Sequence, residues 1–101
     1  MIKHIVFFGL ADSAEGKSKV ELAEYIKLEL ENLIHLIPEI KKIEVGINSH
    51  NAPKTNYDLA LYTEFESMEA LNIYIEHPEH KRVADFVGKV RTTRAAVDYE
   101  V

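Results

Sequence analysis

Residues 57–91, YDLALYTEFESMEALNIYIEHPEHKRVADFVGKVR, change their hydrophobic period once, and the change decides the fold. From Tyr57 the chain alternates, with Leu59, Leu61, Thr63 and Phe65 on one face and Asp58, Ala60, Tyr62 and Glu64 on the other, the period of a strand. Ser67 then caps a short helix, MEALNIYIEH. Pro78 opens a second, PEHKRVADFVGKVR, because a proline lacks an N–H that the first helical turn could not pair anyway. In that second helix His80, Val83, Ala84, Val87 and Val90 share one face, with Phe86 at its edge, so His80 is expected to look inward.

The segments on either side complete the pattern. Upstream, Ile43, Val45 and Ile47 alternate with Glu44, Gly46 and Asn48 in a strand over 40–48, and the polar stretch SHNAPKTN (49–56) joins it to the strand at Tyr57 as a long-looped antiparallel hairpin. Before it, Ser18 and Glu21 have capping-box spacing, and Leu22, Ile26, Leu30, Leu33 and Ile37 recur at three- and four-residue intervals. They predict a helix of about five turns at 3.6 residues per turn. Pro38 stops it, since the residue before a proline avoids the α region. The chain opens on Ile2–Leu10, with His4, Val6 and Phe8 on one face and Ile5 and Phe7 on the other, both mostly apolar. It closes on 95–101, where Val97, Tyr99 and Val101 alternate with Asp98 and Glu100.

Strand, helix, strand, strand, helix, strand is the ferredoxin-like β-α-β-β-α-β order. It predicts an α+β domain over 1–101 with one four-stranded antiparallel sheet and its helices on a single face. The other sheet face then carries Ile5, Phe7, Ala60 and Tyr62. A monomer would expose that apolar patch, and a homodimer pairing two such faces about a two-fold axis would cover it.

Composition narrows the function classes. Seventeen acidic against twelve basic side chains give a formal net charge of −5 with no Lys/Arg-rich run, so neither nucleic acid nor an anionic membrane surface is an expected partner. There is no cysteine, hence no disulfide, thiol nucleophile or Cys-based zinc site, which fits a cytoplasmic location. The apolar run Ile5–Leu10 is too short and too mixed for a signal peptide or a membrane span. Four well-separated glycines form no phosphate loop, and no cofactor is expected.

Several segments together resemble the stress-responsive A/B barrel domain family, also called Dabb or dimeric α/β barrel proteins. They are MIKHIVFF, IPEIKKIEVGIN, YDLALYTEFESMEALNIYIEHPEHKRVADF and VDYEV, in the family's order along nearly the whole chain. The resemblance implies a ferredoxin-like homodimeric barrel. It also implies a candidate site, because in a plant polyketide cyclase of the family a tyrosine and a histidine beside the HPxH motif perform acid–base work in an aldol closure. The matching residues here are Tyr74 and His80, with His4 matching a histidine of the cyclase cavity. The match departs where Ile26, Lys27 and Leu30 stand for cavity aromatics, and where Arg91 and Arg94 stand for bulky apolar residues.

Two classes of function follow. The first is a dimer that binds a small apolar or carbonyl ligand between sheet and helices, against His4, Val6, Phe8, Ile75 and Val83. The second is a lyase or cyclase in which His80 is the general base and Tyr74 polarises a carbonyl. Against each role stands a structural one: His80 as a buried histidine that hydrogen-bonds backbone, and Tyr74 as a core tyrosine with a satisfied hydroxyl. Haem degradation or cofactor-free oxygenation on a related barrel is a weaker reading, for a chain without tryptophan. His77 is expected to serve the helix break near the surface. The HPEH spacing lacks the i, i+4 geometry of a zincin helix, so no metal site is assigned.

Overall fold

The computed structural model describes residues 1–101. Strand β1 (Ile2–Leu10) is followed by a small hairpin, β2 (Ser13–Ala14) and β3 (Lys17–Ser18), and by helix α1 (Lys19–Asn32) with a 3-10 turn at Leu33–His35. Then come β4 (Lys42–Ile47), β5 (Leu59–Phe65), α2 (Met68–Glu76), α3 (Pro78–Val90) and β6 (Arg91–Glu100). The main sheet is antiparallel throughout, in the order β4-β5-β1-β6, with the first strand at its centre. No helix is long and apolar enough to cross a membrane.

Local signals explain most boundaries. Ser18 accepts from the Glu21 amide while the Glu21 carboxylate accepts from the Ser18 amide, so both ends of the capping box are made. Helix α1 stops at Asn32, short of the expected Pro38. Leu33 and Ile37 nonetheless keep their helical spacing, because the Ile37 amide donates to the Leu33 carbonyl at 2.9 Å and both side chains are fully buried. A hydrophobic i, i+4 pair is thus met by one isolated turn.

Strand β4 begins at Lys42, not at Ile40, whose amide closes a turn onto the Ile37 carbonyl. Strand β6 is longer than its alternating tail and follows α3 without a loop. Its Thr92 and Thr93 crowd Gly9, where a Cβ would collide with the Thr93 hydroxyl. The β2–β3 hairpin was not anticipated. Its turn is Glu15-Gly16, both at positive φ, as a type I′ turn requires.

The two sheet faces differ sharply. Val6, Phe8, Val45, Leu59, Leu61 and Phe65 are buried beneath Leu22, Ile26 and Leu30 of α1, Leu71 and Tyr74 of α2, and Val83, Val87 and Val90 of α3. On the other face the register aligns Ile5 with Tyr62 and Val97, Phe7 with Ala60 and Ala95, and Lys3 with Tyr99. There Phe7 is 36%, Tyr99 42% and Val97 50% exposed, as a patch with nothing of this chain above it.

The free edge of β4 is covered by α1. Glu31 accepts from the Val45 amide at 3.0 Å and Lys27 donates to the Val45 carbonyl, so the one outward-facing backbone pair at mid-strand is occupied by side chains. Lys27, which stands where the related cyclase has a cavity aromatic, therefore serves the sheet edge.

Candidate functional site

The break between α2 and α3 aims the key histidine. His77 ends α2 and caps α3, its Nδ1 accepting from the Glu79 amide at 3.1 Å, and Pro78 occupies the first turn. His80 sits one turn in, where its ring reaches back to the end of α2 and its Nδ1 meets the Ile75 carbonyl at 3.0 Å. A carbonyl only accepts, so Nδ1 carries the proton and Nε2 keeps its lone pair, with no hydrogen-bond partner in the protein. Burial holds the His80 pKa below the ordinary histidine value. The Ile75 bond opposes that shift, and the charges of His4, Arg94 and His77 add to it. The ring is neutral at physiological pH.

Tyr74 packs against that ring. Their centroids are 4.4 Å apart, with Phe65 at 5.0 Å on another side and His4 edge-on at 6.2 Å. The tyrosine is fully buried and its hydroxyl has no partner, which corrects the expectation of a satisfied hydroxyl. Burial pushes the phenol pKa far up, so it remains a protonated donor.

His4 is the second imidazole. It is buried on β1, and its Nδ1 pairs with the carboxylate of Asp98, directly across the ladder on β6. Asp98 was missed in the sequence. Alternation places it opposite Val97 and Tyr99, but which face that is depends on the pairing of β6 with β1.

A cavity of about 200 Å³ lies between the sheet and α3. His4, Val6, Phe8 and His80 line it, together with Leu30, Leu61 and Val87. Arg91 and Arg94 line it as well, both on the solvent-exposed start of β6. Tyr74, Ile75 and Val83 do not. Ile75 contributes its carbonyl to His80, and Val83 faces the other way, into a groove with Tyr25, Ile26 and Phe86. A hollow of about 250 Å³ near Lys19, Asn48 and Asp58 contains neither His4 nor His80. No three His, Cys, Asp or Glu side chains are grouped to hold a metal ion.

With this geometry in place, the family model described as the stress responsive A/B barrel domain, Dabb, matches residues 2–101. The chain belongs to this family. No curated protein matches the sequence at a significant level. Among solved structures, this Dabb chain is similar to a dimeric protein of unknown function with a ferredoxin-like fold from Bacteroides fragilis. The two share 36% identity at a TM-score of 0.87, over 99% of this chain and 95% of that one. A dimeric ferredoxin-like protein of unknown function from Thermobifida fusca shares 25% identity at a TM-score of 0.80, over 99% and 90%. A hydroxynitrile lyase from Passiflora edulis has a TM-score of 0.80 at 17% identity, over 99% and 92%, a likeness of fold alone.

Proposed function

We propose that this Dabb chain forms a homodimer through its open sheet face and binds a small carbonyl compound in the cavity between sheet and helices. The observation that carries the binding reading is the convergence of two imidazoles, His4 and His80, on an otherwise largely apolar hollow. Its volume of about 200 Å³ is below the roughly 300–1,000 Å³ of pockets for drug-sized ligands, so the ligand is small and a haem is disfavoured. The dimer reading rests on the exposed Phe7, Val97 and Tyr99 patch, and on the dimeric state of the Bacteroides fragilis and Thermobifida fusca relatives.

A second reading is acid–base turnover of that ligand, favoured by the free Nε2 of a neutral His80. A base of lowered pKa stays unprotonated at neutral pH and can take a proton from carbon beside a carbonyl, or from the hydroxyl of an aldol adduct, whose C–C bond then breaks to give one carbonyl and the enolate of the other fragment. Tyr74 supports the ring from behind; to donate to a substrate, its enclosed hydroxyl would have to gain access to the cavity.

A thermal-shift screen of small aldehydes and ketones tests binding. Hits are expected with wild type, and a panel without any hit would remove the ligand reading. Turnover assays on the hits then compare wild type with His80→Ala. Activity that survives the substitution unchanged would take the base role from His80.

A further inference from the structure

The three arginines of the chain fall into two kinds. Arg82 is paired twice, with Glu29 at 2.7 Å and Glu79 at 3.1 Å, as a surface arginine of an acidic protein usually is. Arg91 and Arg94 make no ion pair and no side-chain hydrogen bond, although acidic residues outnumber basic ones seventeen to twelve. Both unpaired arginines line the cavity that holds the two imidazoles, and both stand on the exposed start of β6.

The sheet register fixes where they stand. Arg94 is opposite Phe8 and Arg91 opposite Leu10, whereas Asp98 is opposite His4. Four residues of strand separate the His4 and Phe8 positions, about 13 Å at ~3.3 Å per residue. Val6 and Phe8 cover the interval on β1, with Leu61 and Val87 across from them. The cavity is thus polarised along its length, with two imidazoles at one end, hydrocarbon in the middle and fixed positive charge at the other.

On the reading that this cavity binds a small carbonyl compound, we infer that the ligand is a short-chain monocarboxylic acid whose carboxylate is held by Arg94 and Arg91 and whose apolar chain carries its reactive carbonyl toward His80 and His4. Guanidinium groups present paired donors that match the two oxygens of a carboxylate, and at the rim of an apolar hollow such a pair is less screened than on open surface. One negative charge suits the site. The Arg94 charge is felt at His80 and helps keep that ring unprotonated, and a bound carboxylate would offset this influence at the arginine end.

The test is titration calorimetry with straight-chain acids from butanoate to octanoate, with levulinate, and with the methyl ester of each, against wild type and the double variant Arg91→Gln/Arg94→Gln. Both positions are exposed, and an unchanged melting temperature of the unliganded variant shows that it folds. Wild type is expected to bind at least one acid at least about tenfold more tightly than its ester. The double variant is expected to lose that preference while its ester affinity holds. Esters binding as well as acids, or an acid preference that survives the double variant, would overturn the carboxylate inference and leave the cavity reading standing. If inorganic phosphate binds in an arginine-dependent manner and no acid does, the ligand class is wrong. No binding of any acid or ester while aldehydes and ketones still bind would refute the acid alone. Silence from every compound would remove the cavity reading with it.

Discussion

The two faces of one sheet, built from the same four strands, show opposite ways of closing a core. On the helix-covered face Val6, Leu59, Leu61 and Phe65 are at most 3% exposed, and the chain's own α1, α2 and α3 supply the partner surface. On the open face Phe7, Val97 and Tyr99 are 36–50% exposed at register positions one step away. Side chains on a strand alternate with period two, so a strand cannot carry its interior on one face without committing the other. The first face was completed by sequence that follows in the same chain. The second has no cover from this chain, and the proposed homodimer would supply it.

The contrast can be broken from either side. Phe65→Ala removes a fully buried ring from the covered face, and a loss of about 3–5 kcal/mol in urea unfolding is expected. Much less than that would mean the covered face is loosely packed. Val97→Asp places a charge in the open patch, and sedimentation equilibrium at micromolar protein should then show a single-chain mass where wild type shows twice that. A single-chain mass for wild type itself would end the dimer reading.

Smaller effects sharpen the picture at the site. Tyr74→Phe deletes a buried hydroxyl that has no partner, so unliganded stability should be unchanged or rise by up to about 1–2 kcal/mol in chemical unfolding. A loss of that size would reveal a hydrogen bond to the hydroxyl. The smallest effect is acid sensitivity. Burial lowers the folded-state pKa of His80 below its ordinary 6.5, so above that value both folded and unfolded chains hold the ring neutral and no difference arises. As pH falls through it the unfolded chain takes the proton first, and stability is lost until the folded ring also titrates. Melting temperatures measured from neutral pH down to about pH 5 should fall more steeply for wild type than for His80→Gln. Parallel curves would place the ring in solvent.

The β4–β5 hairpin, the first strand and the split second helix were legible because each depends on neighbours in sequence: Leu59 to Phe65 by alternation, Ser67 and Pro78 by what a helix start requires. Boundaries that depended on distant contacts were not. Ile40 and Ile37 look like the start of a strand and the end of a helix, yet both are buried in the turn between them. The ligand-contact expectation failed in the same manner for Val83. It is buried on α3 as predicted, but helix-to-helix packing turns it toward α1 and away from the cavity.

From its residues alone this protein was bound to be a β-α-β-β-α-β sheet with one face under helices, because hydrophobic period, caps and prolines act within a few residues and need no knowledge of the rest. Only the tertiary structure decided that Asp98 meets His4, that the His80 Nδ1–H donates to the Ile75 carbonyl and leaves Nε2 free, and that Arg91 and Arg94 share their hollow. Those meetings depend on strand register and helix packing between residues up to ninety-four positions apart, and side-chain spacing along a chain carries no record of which distant neighbour a strand or helix will face.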